Sequence, residues 1–391
     1  MALSEVSVSE DDSGDPEPRR SMSFDRARAS ITHLARSERV RMMLGFAWRT
    51  ILLIIPRKNY FLIRLIYIIF MSLLGGLILW WLEDKLWYLD SLFVAASAVC
   101  VTGLSTVDFS VFSVSGQVLV LVWIQFGGLI MLSMAAPIAR LIFHYRTKDP
   151  RDGFEVMSPQ TVRILKIVIA TIVSYLVVVQ LLAFIILGAY LSADDAANAV
   201  MKANGVHNPW WWALFYTMSS FQNAGFGLFA ASIVPFSNDR LVSLVIAFLI
   251  MAGNTLYPIF FRAILVSIKK LTCNERLRND LEELLQNPRS YYYLLFPSFN
   301  TWILLGCWSL LTLVEWSIFF VEWDRLAVYG ADFSAGIKLM INFVQTVSVR
   351  TCGLNNVNIG SLTSGHLAFL MVSMFLSAFP FMVSLRTSSA E

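Results

Sequence analysis

The sequence predicts an all-α polytopic membrane protein, and three observations carry that prediction. The 391 residues are 57% hydrophobic and only 15% charged, with a mean hydropathy of +0.64, whereas soluble domains are roughly a quarter charged. Six apolar runs are long enough to cross a bilayer, which takes about 20 residues each. Three shorter apolar pieces alternate with them, and each ends in a polar turn containing a glycine.

The long runs begin near Tyr60 ("YFLIRLIYIIFMSLLGGLILWWL"), Gln117, Val162, Leu241, Tyr293 and His366. The short pieces are "SLFVAASAVCV", "WWWALFYTMSSF" and "IKLMINFVQTVSV". Each is too short to span, yet exposed loops rarely carry a dozen apolar residues in a row, so they read as half-helices. Asp90 is a candidate N-cap for the first. Asn208 and Pro209 offer N-cap and N1 for the second, and Asp332 and Ser334 stand before the third. The glycines that follow are Gly103, Gly225 and Gly353, at spacings of 225 − 103 = 122 and 353 − 225 = 128. A repeat of that size fits the internal duplications of transport proteins.

The expected organisation is a cytosolic, disordered and basic N-terminal tail over 1–58, repeat A over 59–143 and a cytosolic loop over 144–160. Repeat B follows over 161–268, then a cytosolic loop over 269–291, repeat C over 292–386 and a short end over 387–391. Lys and Arg set the orientation. Arg140, Arg146, Lys148, Arg151, Arg163 and Lys166 lie between the second and third spans; Arg262, Lys269, Lys270, Arg276, Arg278 and Arg289 lie between the fourth and fifth. The opposite loops are mainly acidic. The N-terminus is therefore expected in the cytosol, with the half-helices dipping in from outside and the aromatic clusters forming an interfacial belt. A headgroup-binding role for the basic side leads to the same orientation.

Enzyme classes find no support. The four cysteines fall in no CxxC pair, the four histidines are scattered, and HExxH, GxSxG and GxxxxGK[ST] do not occur. No cofactor is expected, and a net charge of only +3 argues against nucleic acid. The lipid bilayer is the expected surroundings.

Irregular backbone at membrane depth is tolerated only where protein buries it or where it lines a water-filled path. A half-helix ending in the membrane aims its negative dipole end inward. A glycine just beyond it takes φ > 0 and lets successive carbonyls face one axis. A bare ion in low dielectric costs tens of kcal/mol, and rings of carbonyls offset that cost by replacing the hydration shell. The three turns thus read as arcs of one selectivity filter. Arg350, three residues before Gly353, would repel a cation in the path, so it is expected behind the filter, donating to loop carbonyls. Glu315 is expected to snorkel, the other reading being a partner for Arg350. Asp108 reads either as an outer-mouth carboxylate that concentrates cations or as a solvated loop acid. Asn254 is expected to satisfy backbone freed by Pro258, or to line an inner cavity. Ser21 and Ser23 sit beside arginines as weak phosphorylation candidates.

"ASAVCVTGLSTVD", "FQNAGF", "GNTLYPIFFR" and "SVRTCGLNNV" together resemble the Trk/Ktr/HKT superfamily of potassium and sodium transporters, fungal Trk and plant HKT members most closely, over residues 50 to 391. The resemblance implies helix–pore loop–helix repeats around a central pore in a multi-pass, plasma-membrane, homodimeric transporter of potassium or sodium ions. It implies filter positions at Thr102, Gly103, Ala224, Gly225, Cys352 and Gly353, with Asn223 and Arg350 as filter scaffold. Glycine at position 103 is similar to the potassium-permeable class, where sodium-selective plant members have serine. Ser373, Ser377 and Pro380 look like the counterpart of the family's intramembrane gate, ordinary helix packing being the other reading. The family has four repeats and this sequence has three, so a fragment or splice form of a transporter is expected. The alternative is a truncated, non-conducting regulatory or interaction subunit. Influx of one positive charge is favoured by about 2.3 kcal/mol per 100 mV, so transport needs no ATP site.

Overall fold

The computed structural model describes residues 60–146, 157–321 and 334–375. The chain divides into two units at Ile66: the first, Met1–Ile66, is described only from Tyr60, and the second, Tyr67–Glu391, holds all that follows. The 1–58 tail, with Ser21 and Ser23, lies outside the described residues, as do Asp332, Ser377 and Pro380.

Every regular element among the described residues is helical. Helix α1 (Tyr60–Leu82) is apolar but for Arg64 near its start and Ser72, and its 23 residues span roughly 34 Å at 1.5 Å each, enough for a bilayer. Helix α2 (Tyr88–Cys100) follows, then a 3₁₀ turn at Phe109–Val111 and α3 (Val114–Gly127), capped by Ser113, whose hydroxyl accepts from Gly116 N at 3.2 Å. Helix α4 (Leu129–Arg146) continues from it.

Helix α5 (Pro159–Ala193) has 35 residues, started by Ser158 as N-cap and Pro159 at N1, the combination that satisfies orphan N–H groups and presets φ. Helix α6 (Asp195–Ala203) is short. Helix α7 (Pro209–Gln222) begins on Asn208, whose side chain accepts from Trp210 N and Trp211 N. A 3₁₀ turn at Val234–Phe236 leads to α8 (Arg240–Ile250), capped by Asp239. A π-helical turn at Met251–Thr255 then precedes α9 (Tyr257–Leu271).

Helices α10 (Glu275–Gln286) and α11 (Pro288–Tyr291) fill the connection expected to be a loop. Helix α10 buries Leu281, Leu284 and Asp280, and Asp280 accepts from Arg163 of α5 at 2.9 Å. Helix α12 (Ser298–Val321) is again apolar. Helix α13 (Ala335–Thr351), a 3₁₀ turn at Ile359–Ser361 and α14 (Ser364–Phe375) complete the described chain.

Helices α1, α5 and α12 are individually long and apolar enough to cross a membrane. The second and fourth spans expected from the sequence are each broken. Helices α3 and α4 bend by 56° at Gly127–Gly128, and α8 and α9 by 85° across the π-turn. The breaks have a common cause. A Cβ on Gly127 would strike the carbonyl of Val99 in α2, and one on Gly253 the carbonyl of Phe221 in α7. Backbone approaches backbone there, as only glycine permits, and a π-turn beside such a contact is a recognised source of kinks.

The core surrounds α7. Trp212, Phe215, Tyr216 and Phe221 are all fully buried, and the polar Thr217, Ser219, Ser220 and Gln222 are buried with them, because protein encloses this short helix beyond its exposed Trp210. One apolar cluster joins Val94, Ile124, Trp212, Phe215 and Ile246. A second joins Ile172, Tyr175, Tyr257, Phe261 and Tyr292. Large exposed apolar side chains on α1, α5 and α12, such as Phe70, Leu182 and Trp302, form the outward face that a lipid solvent requires.

One helix start differs from expectation. Trp87 is the N-cap of α2, and Asp90 lies inside its first turn, where a carboxylate still complements the helix dipole. Asn208 and Ser334 occupy the N-cap positions expected of them.

Candidate cation site

Helices α2, α7 and α13 each end against a glycine in the left-handed region: Gly103 at φ +72°, Gly225 at +78° and Gly353 at +74°. The helix ends are closed alike, by Thr102 N to Ser97 O at 2.9 Å, Ala224 N to Ser219 O at 2.8 Å and Gly353 N to Ser348 O at 2.9 Å. Two residues before the first two glycines, Val101 (φ +56°) and Asn223 (φ +59°) are also left-handed. Asparagine tolerates that region, whereas a β-branched valine there is strained.

The three turns meet. A Cβ on Gly103 would strike the carbonyl oxygen of Ala224 and lie 3.0 Å from Gly225 Cα. A Cβ on Gly225 would strike the carbonyl oxygen of Cys352. A Cβ on Gly353 would meet no atom of the described residues within 4 Å. The sequence-expected positions Gly103, Ala224, Gly225, Cys352 and Gly353 are thus brought together, 250 residues apart in the chain at the extremes (353 − 103). Thr102 stands with them on its loop, hydrogen-bonded to Ser97 Oγ at 2.9 Å. Asp108 is exposed on the same loop, at the start of its 3₁₀ turn.

Asn223 is the link between turns. Its side-chain oxygen accepts from Thr351 Oγ1 at 2.8 Å. Its nitrogen donates to the carbonyl of Ile250 at 3.1 Å, at the edge of the π-turn, and to Phe221 O at 3.3 Å. Farther out, Ile233 N donates to Asn355 O at 3.1 Å, and Asn355 N donates to Ser232 Oγ at 3.0 Å. The loops after Gly225 and Gly353 are therefore joined by backbone.

Arg350 is buried and paired. Its Nε lies 3.1 Å from Glu315 of α12, its guanidinium donates to Thr312 Oγ1 at 2.5 Å, and its Cζ sits 5.2 Å over the Trp308 ring. Ser373 of α14 donates to the same carboxylate. Glu315 therefore does not snorkel to the surface; a fully buried guanidinium requires a counter-charge, and Glu315 supplies it. Asn254 lies half-buried within the π-turn.

Sequence reasoning missed three features. Gln125 accepts from Gln222 at 3.0 Å and from Gln180 at 3.3 Å, an amide cluster joining α3, α5 and α7. The breaks at Gly127 and Gly253 were readable only as "FGGL" and "AGNT". A serine begins each of "SAVCVTGL", "SSFQNAGF" and "SVRTCGL"; their hydroxyls all bond within the following turn.

A family described as TrkH, cation transport protein, matches residues 57–390. The chain belongs to this family. It is therefore a multi-pass membrane protein of a cation-transport family, every regular element among its described residues being helical. A Dictyostelium discoideum protein whose name refers to potassium transport is 36% identical over 219 residues, covering 56% of this chain and 33% of that one. Potassium transport protein 1 of Schizosaccharomyces pombe is 30% identical, covering 58% and 27%. Ktr system potassium uptake protein B of Bacillus subtilis is 26% identical, covering 74% and 58%. The chain thus spans a third of the first relative, about a quarter of the second and somewhat over half of the third. The crystal structure of the potassium transporter TrkH from Vibrio parahaemolyticus superposes with a TM-score of 0.47 at 15% identity, covering 82% of this chain and 56% of that one.

Proposed function

We propose that this chain carries monovalent cations, potassium foremost and sodium with it, across the plasma membrane through a filter lined by backbone carbonyls. The carrying observation is the contact among the three left-handed glycine turns, the carbonyl of Ala224 lying against Gly103 and that of Cys352 against Gly225. Oxygen atoms are the ligands alkali cations take, and main-chain carbonyls supply them without adding a net charge that would hold the ion too tightly. The family membership and the potassium-transport names of the relatives support the same cargo.

In this reading, residues 59–143, 161–268 and 292–386 are three helix–pore loop–helix repeats with the N-terminus in the cytosol. Thr102, Ala224 and Cys352 precede the filter glycines as carbonyl donors, and Asp108 raises the local cation concentration at the outer mouth. Asn223 and Arg350 hold the filter from behind, and Ser373 belongs to the gate region with Ser377 and Pro380. The functional unit is a homodimer.

A second reading has its own observation. A Cβ on Gly353, unlike one on either of the other two glycines, would meet no atom of the described residues. A further element, in this chain or another, would close that side, and without it the chain acts as a non-conducting partner. Expression in yeast lacking potassium uptake decides between them. Growth on low potassium with rubidium uptake supports conduction; no growth, together with suppressed currents on co-expression with a conducting relative, supports the partner role.

A further inference from the structure

Ser97, Ser219 and Ser348 are buried and stand six, six and five residues before Gly103, Gly225 and Gly353. Each hydroxyl bonds the residue that follows its glycine, but not in the same sense. Ser97 Oγ accepts from the N–H of Leu104 at 2.8 Å. Ser219 Oγ donates to the carbonyl of Phe226 at 2.7 Å, and Ser348 Oγ donates to the carbonyl of Leu354 at 2.5 Å.

The difference matters because a peptide unit is rigid, with its C=O and N–H pointing to opposite sides. The N–H of Leu104 belongs to the same peptide as the carbonyl of Gly103. Tying that N–H to the buried serine turns the Gly103 oxygen to the side of the peptide opposite Ser97. In the other two turns the tied carbonyl belongs to the next peptide along. There the serine hydroxyl does not touch the glycine carbonyl's own peptide; in the third turn the N–H of that peptide, on Leu354, faces the thiol of Cys352 instead, and the N–H on the far side of the tied peptide, on Asn355, meets Ser232 Oγ at 3.0 Å.

We propose that Ser97 is a specificity-determining positioning residue, whose hydroxyl aims the Gly103 carbonyl at the cation, while Ser219 and Ser348 brace their loops one peptide farther on. This rests on the carbonyl-filter reading above. Ser97 is further held by Thr102, whose Oγ1 lies 2.9 Å from Ser97 Oγ and also donates to Ser97 O at 3.2 Å. The first turn therefore carries a two-hydroxyl device at its glycine peptide.

The test uses purified full chain and its variants in detergent, melted in series of KCl and NaCl concentrations, because a ligand that binds only the folded state raises its melting temperature. Wild type is expected to be stabilised more by KCl than by NaCl. Ser97→Ala is expected to lose that preference, with the potassium half-saturation raised roughly tenfold, a factor equal to about 1.4 kcal/mol. Ser97→Thr, which keeps an acceptor hydroxyl, is expected to retain the preference. Ser219→Ala and Ser348→Ala are expected to melt lower yet keep the potassium-over-sodium difference. A wild-type preference with Ser97→Ala unchanged in half-saturation overturns the serine assignment alone. No cation dependence in wild type overturns the filter reading and the serine role together. Where Ser97→Ala does not fold, Ser97→Cys takes its place, its sulfur being a weak acceptor; half-saturations equal to those of Ser97→Thr then overturn the assignment.

Discussion

Arg350 and Glu315 form an ion pair at 3.1 Å with both side chains 3% exposed, joining the end of the half-helix before Gly353 to the long helix α12. Removing one member of a buried pair leaves the other charge uncompensated, at a cost of about 3–5 kcal/mol, whereas replacing both by apolar residues of similar volume is close to neutral. Glu315→Gln is therefore expected to lower the melting temperature steeply and reduce the amount of protein reaching the membrane. The double variant Glu315→Leu with Arg350→Met is expected to recover most of the loss. A double variant no better than the single one would show that the two residues act independently.

The three filter glycines should not tolerate a side chain equally. Gly225→Ala combines left-handed strain of roughly 1–2 kcal/mol with a collision against the Cys352 carbonyl, while Gly353→Ala has the same strain and open space. Rubidium uptake is expected to fall much further for the first. Gly205→Ala, at φ +83° with no described residue within 4 Å of its Cβ, serves as the control and is expected to leave uptake unchanged. Gly103→Ser is expected to lower potassium relative to sodium flux, because its Cβ displaces the Ala224 carbonyl.

Backbone contact at the helix breaks leads to a sharp contrast between two glycines in helices. Gly253→Ala must push the Phe221 carbonyl, and with it the end of α7, out of place, so a loss of about 1–3 kcal/mol is expected, in the range of overpacking. Gly306→Ala meets no atom of the described residues within 4 Å and gains roughly 0.5–1 kcal/mol from helix propensity. Thermal melting of the two variants should move in opposite directions.

Val101 occupies the position that Asn223 occupies in the second turn, and both are left-handed. Val101→Asn is expected to relieve about 1 kcal/mol of backbone strain and raise the melting temperature. Asn223→Val is expected to do the reverse and lose the bonds to Thr351 and Ile250 as well. A Val101→Asn variant that melts lower would mean that the valine's packing outweighs its strain.

Much of this architecture was legible in the order of residues because its signals are local. Apolar length, set against bilayer thickness, marked α1, α5 and α12. Asn208 with Pro209 marked the start of α7, and glycine after a short apolar piece marked each turn, since only local φ and local hydration are involved. The position of Glu315 was not legible, because a lone acid near the end of an apolar run reads as snorkelling until its partner, 35 residues on (350 − 315), is seen beside it. The broken helices were hidden for the same reason: Gly127 and Gly253 look like ordinary interior glycines until the carbonyls of Val99 and Phe221 lie against them.

By itself, then, the sequence determined that the chain must be helical in lipid and that its three glycine turns interrupt the helices, because both follow from the composition and spacing of neighbours. Only the tertiary structure decided that Ala224 and Cys352 turn their carbonyls to the glycine of the preceding turn, that Ser97 holds an N–H where Ser219 and Ser348 hold a carbonyl, and that Arg350 has a buried partner. Those are relationships between segments or between peptide planes, and hydrogen-bond direction in a closed loop is set by packing rather than by residue type.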